Sequence, residues 1–231
     1  MIQLLEMKFS IAPKKREFCD VIEETYQFML LLKEAGLGVE PKYETVWKKS
    51  DAKPFDWSYE NFSSLMKNKL KSGDEELGVN IGFFSSLDDE KSGSILLGVG
   101  KSYEKINNMV HISFPYSLAF DKDTAQKIAL LFRKSIELLH PFYGEIRNVK
   151  NYDRYLDSGR DRLPYTVHWL NYYASPELLD ILSRADGKYT FYQKEKFQDG
   201  YYFKLQELPI DDDNEEDIKR QMEVNQILGL Q

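Results

Sequence analysis

Apolar residues recur at three- and four-residue intervals in two long stretches of the chain, and this spacing predicts its main helices. Between residues 17 and 35, Phe18, Val21, Ile22, Tyr26, Met29 and Leu32 share one face of an amphipathic helix that Gly36 and Gly38 end. Between 121 and 140, Ile128, Leu131, Phe132, Ile136 and Leu139 do the same, and Pro141 stops the pattern. Shorter β-prone runs lie at 2–11, 77–84 (LGVNIGFF), 94–100 (SILLGVG) and 109–114 (MVHISF). The polar turns 88–93 and 101–108 separate the last three, so antiparallel pairing is the expectation. Weaker signals give a strand near 43–48 and a short helix near 58–70.

Beyond Pro141 the pattern changes. Residues 147–163 are polar and mixed in charge and read as a long loop. The segment YTVHWLNYYASPELL then reads as a strand over 165–173 entering a helix over 176–185. Ser175 is a good N-cap, Pro176 suits the first helical position, and Gly187 is placed beyond the end. Alternation along that strand sends Trp169 with Tyr165, Val167, Asn171 and Tyr173 toward the core. Thr166, His168, Leu170 and Tyr172 point the other way. Two more strands are expected at 189–193 and 200–206, then an acidic run at 211–217 and a last helix reaching Leu228. The order is not the regular alternation of a doubly wound sheet. It predicts an α+β fold, a mainly antiparallel sheet covered by amphipathic helices. One domain spans 1–231, and each half (1–120 and 121–231) pairs strands with a long helix, as two related halves would.

Composition narrows the function classes. A hydrophobic share of 42% with 30% charged residues is an ordinary globular balance, and the 14% aromatic share favours sheets and interfaces. The net charge of −7 and the lack of a basic stripe argue against nucleic-acid binding and suit a basic protein partner. The single cysteine, Cys19, allows no intrachain disulfide and fits a reducing compartment. No run approaches the length of a membrane span and the N-terminus does not read as a signal peptide. The expectation is a soluble cytoplasmic protein that does not bind membranes.

Motifs for chemistry are scarce. His111, His140 and His168 fall in no metal-ligand spacing, and no nucleophile elbow, dinucleotide fingerprint or phosphate loop occurs, so neither a metal nor a cofactor is expected. An enzyme reading would need a site assembled from distant residues, with His168 as general base near Tyr172 and Asp180. No catalytic residue is assigned otherwise. A binding reading has clearer candidates: the acidic residues Asp211, Asp212, Asp213, Glu215, Glu216 and Asp217, and a second patch of Asp88, Asp89 and Glu90. Tyr172, and similarly Tyr201 or Tyr202, would be an exposed anchor for the partner.

The stretch VHWLNYYASPEL, 167–178, with its central Trp169 followed by Tyr172 and a Ser-Pro helix start, resembles the C-terminal part of immunity protein 52 and related type VI secretion immunity proteins. The general layout resembles theirs over about two-thirds of the chain, without the acidic tail. The resemblance implies a non-enzymatic α+β antidote that neutralises a cognate toxin, often a nuclease, and it carries over no active site. A bland regulatory or scaffold module is the alternative within the binding class.

Overall fold

The computed structural model describes residues 4–71, 74–155 and 163–230. The first half supplies β1 (Leu5–Ile11), α1 (Phe18–Ala35), β2 (Tyr43–Glu44), α2 (Tyr59–Lys71), β3 (Val79–Phe84), β4 (Ser94–Val99) and β5 (Asn108–Ser113). The second supplies α3 (Lys122–Leu139), β6 (Tyr143–Asn148), α4 (Val149–Asp153), β7 (Leu170–Tyr173), α5 (Pro176–Ser183), β8 (Gln193–Phe197), β9 (Gly200–Lys204) and α6 (Glu215–Leu228). All strands join one antiparallel sheet in the order β2-β3-β4-β5-β1-β6-β7-β9-β8. The α+β reading stands, with the sheet continuous across both halves.

β1 is the seam. It pairs with β5 on one side (Met7↔Ile112, Phe9↔Val110) and with β6 on the other (Met7↔Ile146, Phe9↔Gly144). Its alternation therefore fixes the two faces of the sheet. Leu5, Met7 and Phe9 are buried on the face covered by α1, α2 and α3, and burying each contributes about 1.5–3 kcal/mol. Phe9 stacks on Phe132 of α3 at 5.0 Å between ring centres. A Cβ at Gly144 would sit 2.8 Å from the Phe9 ring and 3.1 Å from Phe132, so this register needs glycine. Glu6, Lys8 and Ser10 turn to the opposite face.

Capping explains where the long helices begin and end. The Asp121 carboxylate accepts the Thr124 N–H at 2.8 Å to start α3, and Ser175 does the same for Leu178 at 3.4 Å to start α5. Gly36 and Gly229 close α1 and α6 in left-handed conformations. Asn214 caps α6, and Glu215, Glu216 and Asp217 occupy its first turn, where negative charge is favoured.

Several boundaries differ from expectation. The strand expected at 43–48 is only Tyr43–Glu44, and the one expected at 189–193 lies at Gln193–Phe197. α4 occupies part of the expected 147–163 loop, of which 156–162 lie outside the described residues. β6, next to the central strand, has no counterpart in the sequence reading. The strand expected over 165–173 is shortened to Leu170–Tyr173 because side chains hold the preceding backbone instead of a ladder. Asn225 Oδ1 accepts the Val167 N–H at 2.8 Å, and Asn171 both accepts from His168 N–H (2.9 Å) and donates to its carbonyl (2.8 Å). Residues 166–173 are consequently buried as a block, so the expected division into a core side and an outer side fails for His168 and Tyr172.

Candidate functional site

On the face opposite α1–α3, where β1, β6 and β7 meet, charged groups are sealed inside the protein. Glu145 of β6 accepts from the Tyr143 hydroxyl and from Arg147 Nη1 at 3.2 Å. His168 brings Nε2 to 3.1 Å from Glu145 Oε2, off the line of a good hydrogen bond. Arg147 also donates to Glu6 through Nε (2.9 Å) and Nη2 (2.7 Å), and the Tyr152 ring of α4 lies 3.6 Å from its guanidinium carbon. His111 Nε2 is 2.9 Å from Glu6 Oε1. Burial pushes both carboxyls up, but the opposing partners outweigh it. His111 and Arg147 bring Glu6 down to about 2, and His168, Arg147 and Tyr143 do the same for Glu145. Burial, with Arg147 nearby, lowers the Lys8 ammonium.

This cluster does not assemble the expected His168 site. His168 is 1% exposed and faces Glu145 and Tyr152. Tyr172 pairs in register with Gly144 and Tyr202, so it points to the other face of the sheet. Asp180 is bound to Arg184 along α5 at 3.0 Å. Among the described residues no group of three or more His, Cys, Asp or Glu side chains could hold a metal ion.

The acidic run divides in two. Asp212 turns inward and pairs with Arg154 (2.9 Å) and Lys150 (3.3 Å), while Asp217 accepts from Gln206 (2.8 Å) and from the Asp211 N–H (2.9 Å). Asp213, Glu215 and Glu216 face outward. Asp213, Glu215 and Glu223, with the basic Arg154 and Lys219, edge a shallow groove of about 630 Å³ lined also by Ile218 and Met222. Tyr172, expected as an exposed anchor, is 1% exposed, so it offers nothing to a partner in this conformation. Tyr202 is buried too, whereas Tyr201 is partly open.

The second acidic patch meets a residue that the sequence reading passed over. Trp47 is 98% exposed, in the segment just after β2 that the Thr45 N–H ties to Gly82 O at 2.8 Å. Two residues on, Lys49 donates to Asp89 at 2.5 Å and stands 5.3 Å from the centre of the Phe84 ring. Exposed Val46 and Leu87, Asp88, Asp89 and Glu90 therefore share one surface with Trp47 at the β2 edge of the sheet. The only hint in the sequence was a tryptophan in a lysine-rich stretch, WKKSDAK, with neither helical nor strand period.

No family model matches the chain, and no curated protein matches it. Among solved structures it is similar in fold to a chain titled "Pseudomonas aeruginosa T6SS protein PA0821", with a TM-score of 0.65 at 13% identity, covering 99% of this chain and 73% of that one. That likeness is one of fold, extending over nearly all of the nine-stranded sheet and its helices. No helix among the described residues is long and apolar enough to cross a membrane.

Proposed function

We propose that this chain is an immunity protein associated with type VI secretion, which binds a cognate basic toxin in the cytoplasm and occludes its active site. The fold neighbour's title, T6SS protein, agrees with the type VI class suggested by the VHWLNYYASPEL segment. The observation that carries the reading is Trp47, 98% exposed at the β2 edge, where Lys49 two residues on reaches Asp89 of the turn Asp88-Asp89-Glu90. A fully exposed tryptophan is a hot-spot residue type. In the nearby turn Lys49 pairs with Asp89 and Lys91 with Asp88, and a basic partner would replace those lysines. If the toxin is a nuclease, its cleft must be positive to hold substrate, and an acidic surface competes for it.

The outward-facing Asp213, Glu215 and Glu216 form a second contact that steers encounter. The test is co-expression with the candidate toxin, sought in the gene adjoining this one. Wild-type protein is expected to co-purify with the toxin and restore growth, and the Trp47→Ala variant with Asp88, Asp89 and Glu90 neutralised is expected to do neither. A wild-type protein that neither binds nor protects would sink the immunity reading.

A further inference from the structure

A cleft of about 480 Å³ opens on the helical face of the sheet, between the N-terminal half of α1, the end of α3 and strands β4 and β5. It falls in the usual size range of small-molecule sites. Its floor is apolar: Val21 and Phe28 from α1, Leu97 and Val99 from β4, Val110 from β5 and Leu139 from α3. The two polar groups in the wall are already used. Thr25 donates its hydroxyl to Val21 O at 2.6 Å, and Asn108 accepts from the Lys101 N–H at 2.8 Å while donating to Lys101 O at 3.2 Å. Neither competes for a ligand, so the walls favour an apolar body.

The rim has the opposite character. Lys14, Arg16 and His140 line it, against a single acid, Glu24, which Arg16 neutralises at 3.0 Å. Lys14 and His140 make no side-chain hydrogen bond or ion pair among the described residues. His140 also holds an unfavourable backbone. It closes α3 at φ 45, a left-handed position normally given to glycine or asparagine, and a histidine there costs about 1 kcal/mol.

We infer that this cleft binds a small amphipathic anion, an aliphatic body on the apolar floor with a carboxylate held by Lys14 and His140. The inference is independent of the toxin surface, which lies at the β2 edge of the sheet. Decanoate is the probe and decanol, the same chain without the charge, is the control, each titrated calorimetrically into the full chain below its aggregation limit. Decanoate is expected to bind saturably at one site, at least about tenfold more tightly than decanol, since a charge-assisted contact is worth that much. His140→Gly, which suits the left-handed position, is expected to melt no lower than wild type yet to weaken decanoate. With Lys14→Gln added, decanoate should fall to the level of decanol. Absence of saturable decanoate binding, equal affinity for decanol, or no loss in the double variant would each overturn the assignment.

Discussion

The two ends of the sheet treat the same face in opposite ways. Around β1, β6 and β7 the face opposite α1–α3 is filled by a charge network under α4 and the 163–169 segment, with Glu145, Arg147 and His168 all buried. Around β3, β4 and β5 it is largely open: Leu96, Asn80 and Ser94 are exposed, Phe84 is covered by Tyr43 and Lys49, and Trp47 stands at its edge. The covered end spends its unusual residues on holding strands and helices together, and the open end keeps its unusual residues available. Polarity alone therefore does not mark a binding site. Among the described residues the Glu6–Arg147–Glu145–His168 cluster is interior, and the most exposed large apolar side chain is an aromatic ring, Trp47.

Substitutions can break that contrast at either end. The largest effect is expected from Glu145→Ala, which leaves Arg147 without one of its two carboxylates inside the protein and should lower stability by about 3–5 kcal/mol in denaturant unfolding. A loss below 1 kcal/mol would mean that the covered end is not held by its charges. Trp47→Ala should reverse the pattern: toxin affinity falls by about 2 kcal/mol or more while stability moves by no more than about 0.5 kcal/mol.

His168→Gln comes next, with a stability loss of about 1–2 kcal/mol, because it weakens a contact to a buried carboxylate. A purely functional histidine would leave the melting curve unmoved. Acid titration probes the same network. Glu6 and Glu145 are lowered in the folded state from 4.5 to about 2, so their contribution is fully present above the ordinary carboxylate range and is lost as pH falls toward about 2. Glu145→Gln should flatten that part of the stability profile. The smallest effect is expected from neutralising Asp213, Glu215 and Glu216. This should slow toxin association a few-fold and reduce its salt dependence, at a stability cost of about 1 kcal/mol because Glu215 and Glu216 also favour the start of α6 and Asp213 pairs with Lys150.

The sequence made some of these elements legible and hid others for physical reasons. α1 and α3 declared themselves because each buries one face and wets the other, which produces a helical period. β3, β4 and β5 were legible as apolar runs between polar turns. β6, YGEIRN, was not, because its second face is buried yet made of Tyr143, Glu145 and Arg147, whose partners come from β1 and from the segment before β7. Alternation of apolar and polar residues cannot report a face that is both interior and charged. β8, QKEKF, was displaced in the reading because an edge strand rich in lysine and glutamate looks like a turn, although such charges protect an edge from unwanted pairing.

The candidate site was legible only in part. Trp169 was correctly placed inside, where its indole N–H donates to Gln206 O at 3.1 Å. Tyr172 was misplaced because both faces of the sheet are covered at β7: its register with Gly144 and Tyr202 turns it to the face that carries Phe9 and is packed by the helices, so the side opposite Asn171 and Tyr173 is interior too. Asp88, Asp89 and Glu90 lie on the surface, as a polar turn would, but Trp47, about forty residues earlier in the chain, comes near them only through pairing of β2 with β3 and the Lys49–Asp89 contact.

The most direct test is a calorimetric titration of the proposed cognate toxin into wild-type protein and into Trp47→Ala, with both melting curves recorded. The expected result is at least about thirtyfold weaker binding by Trp47→Ala, the equivalent of about 2 kcal/mol, at an unchanged melting temperature. Equal affinity for the two proteins would contradict the assignment of the open end as the binding surface.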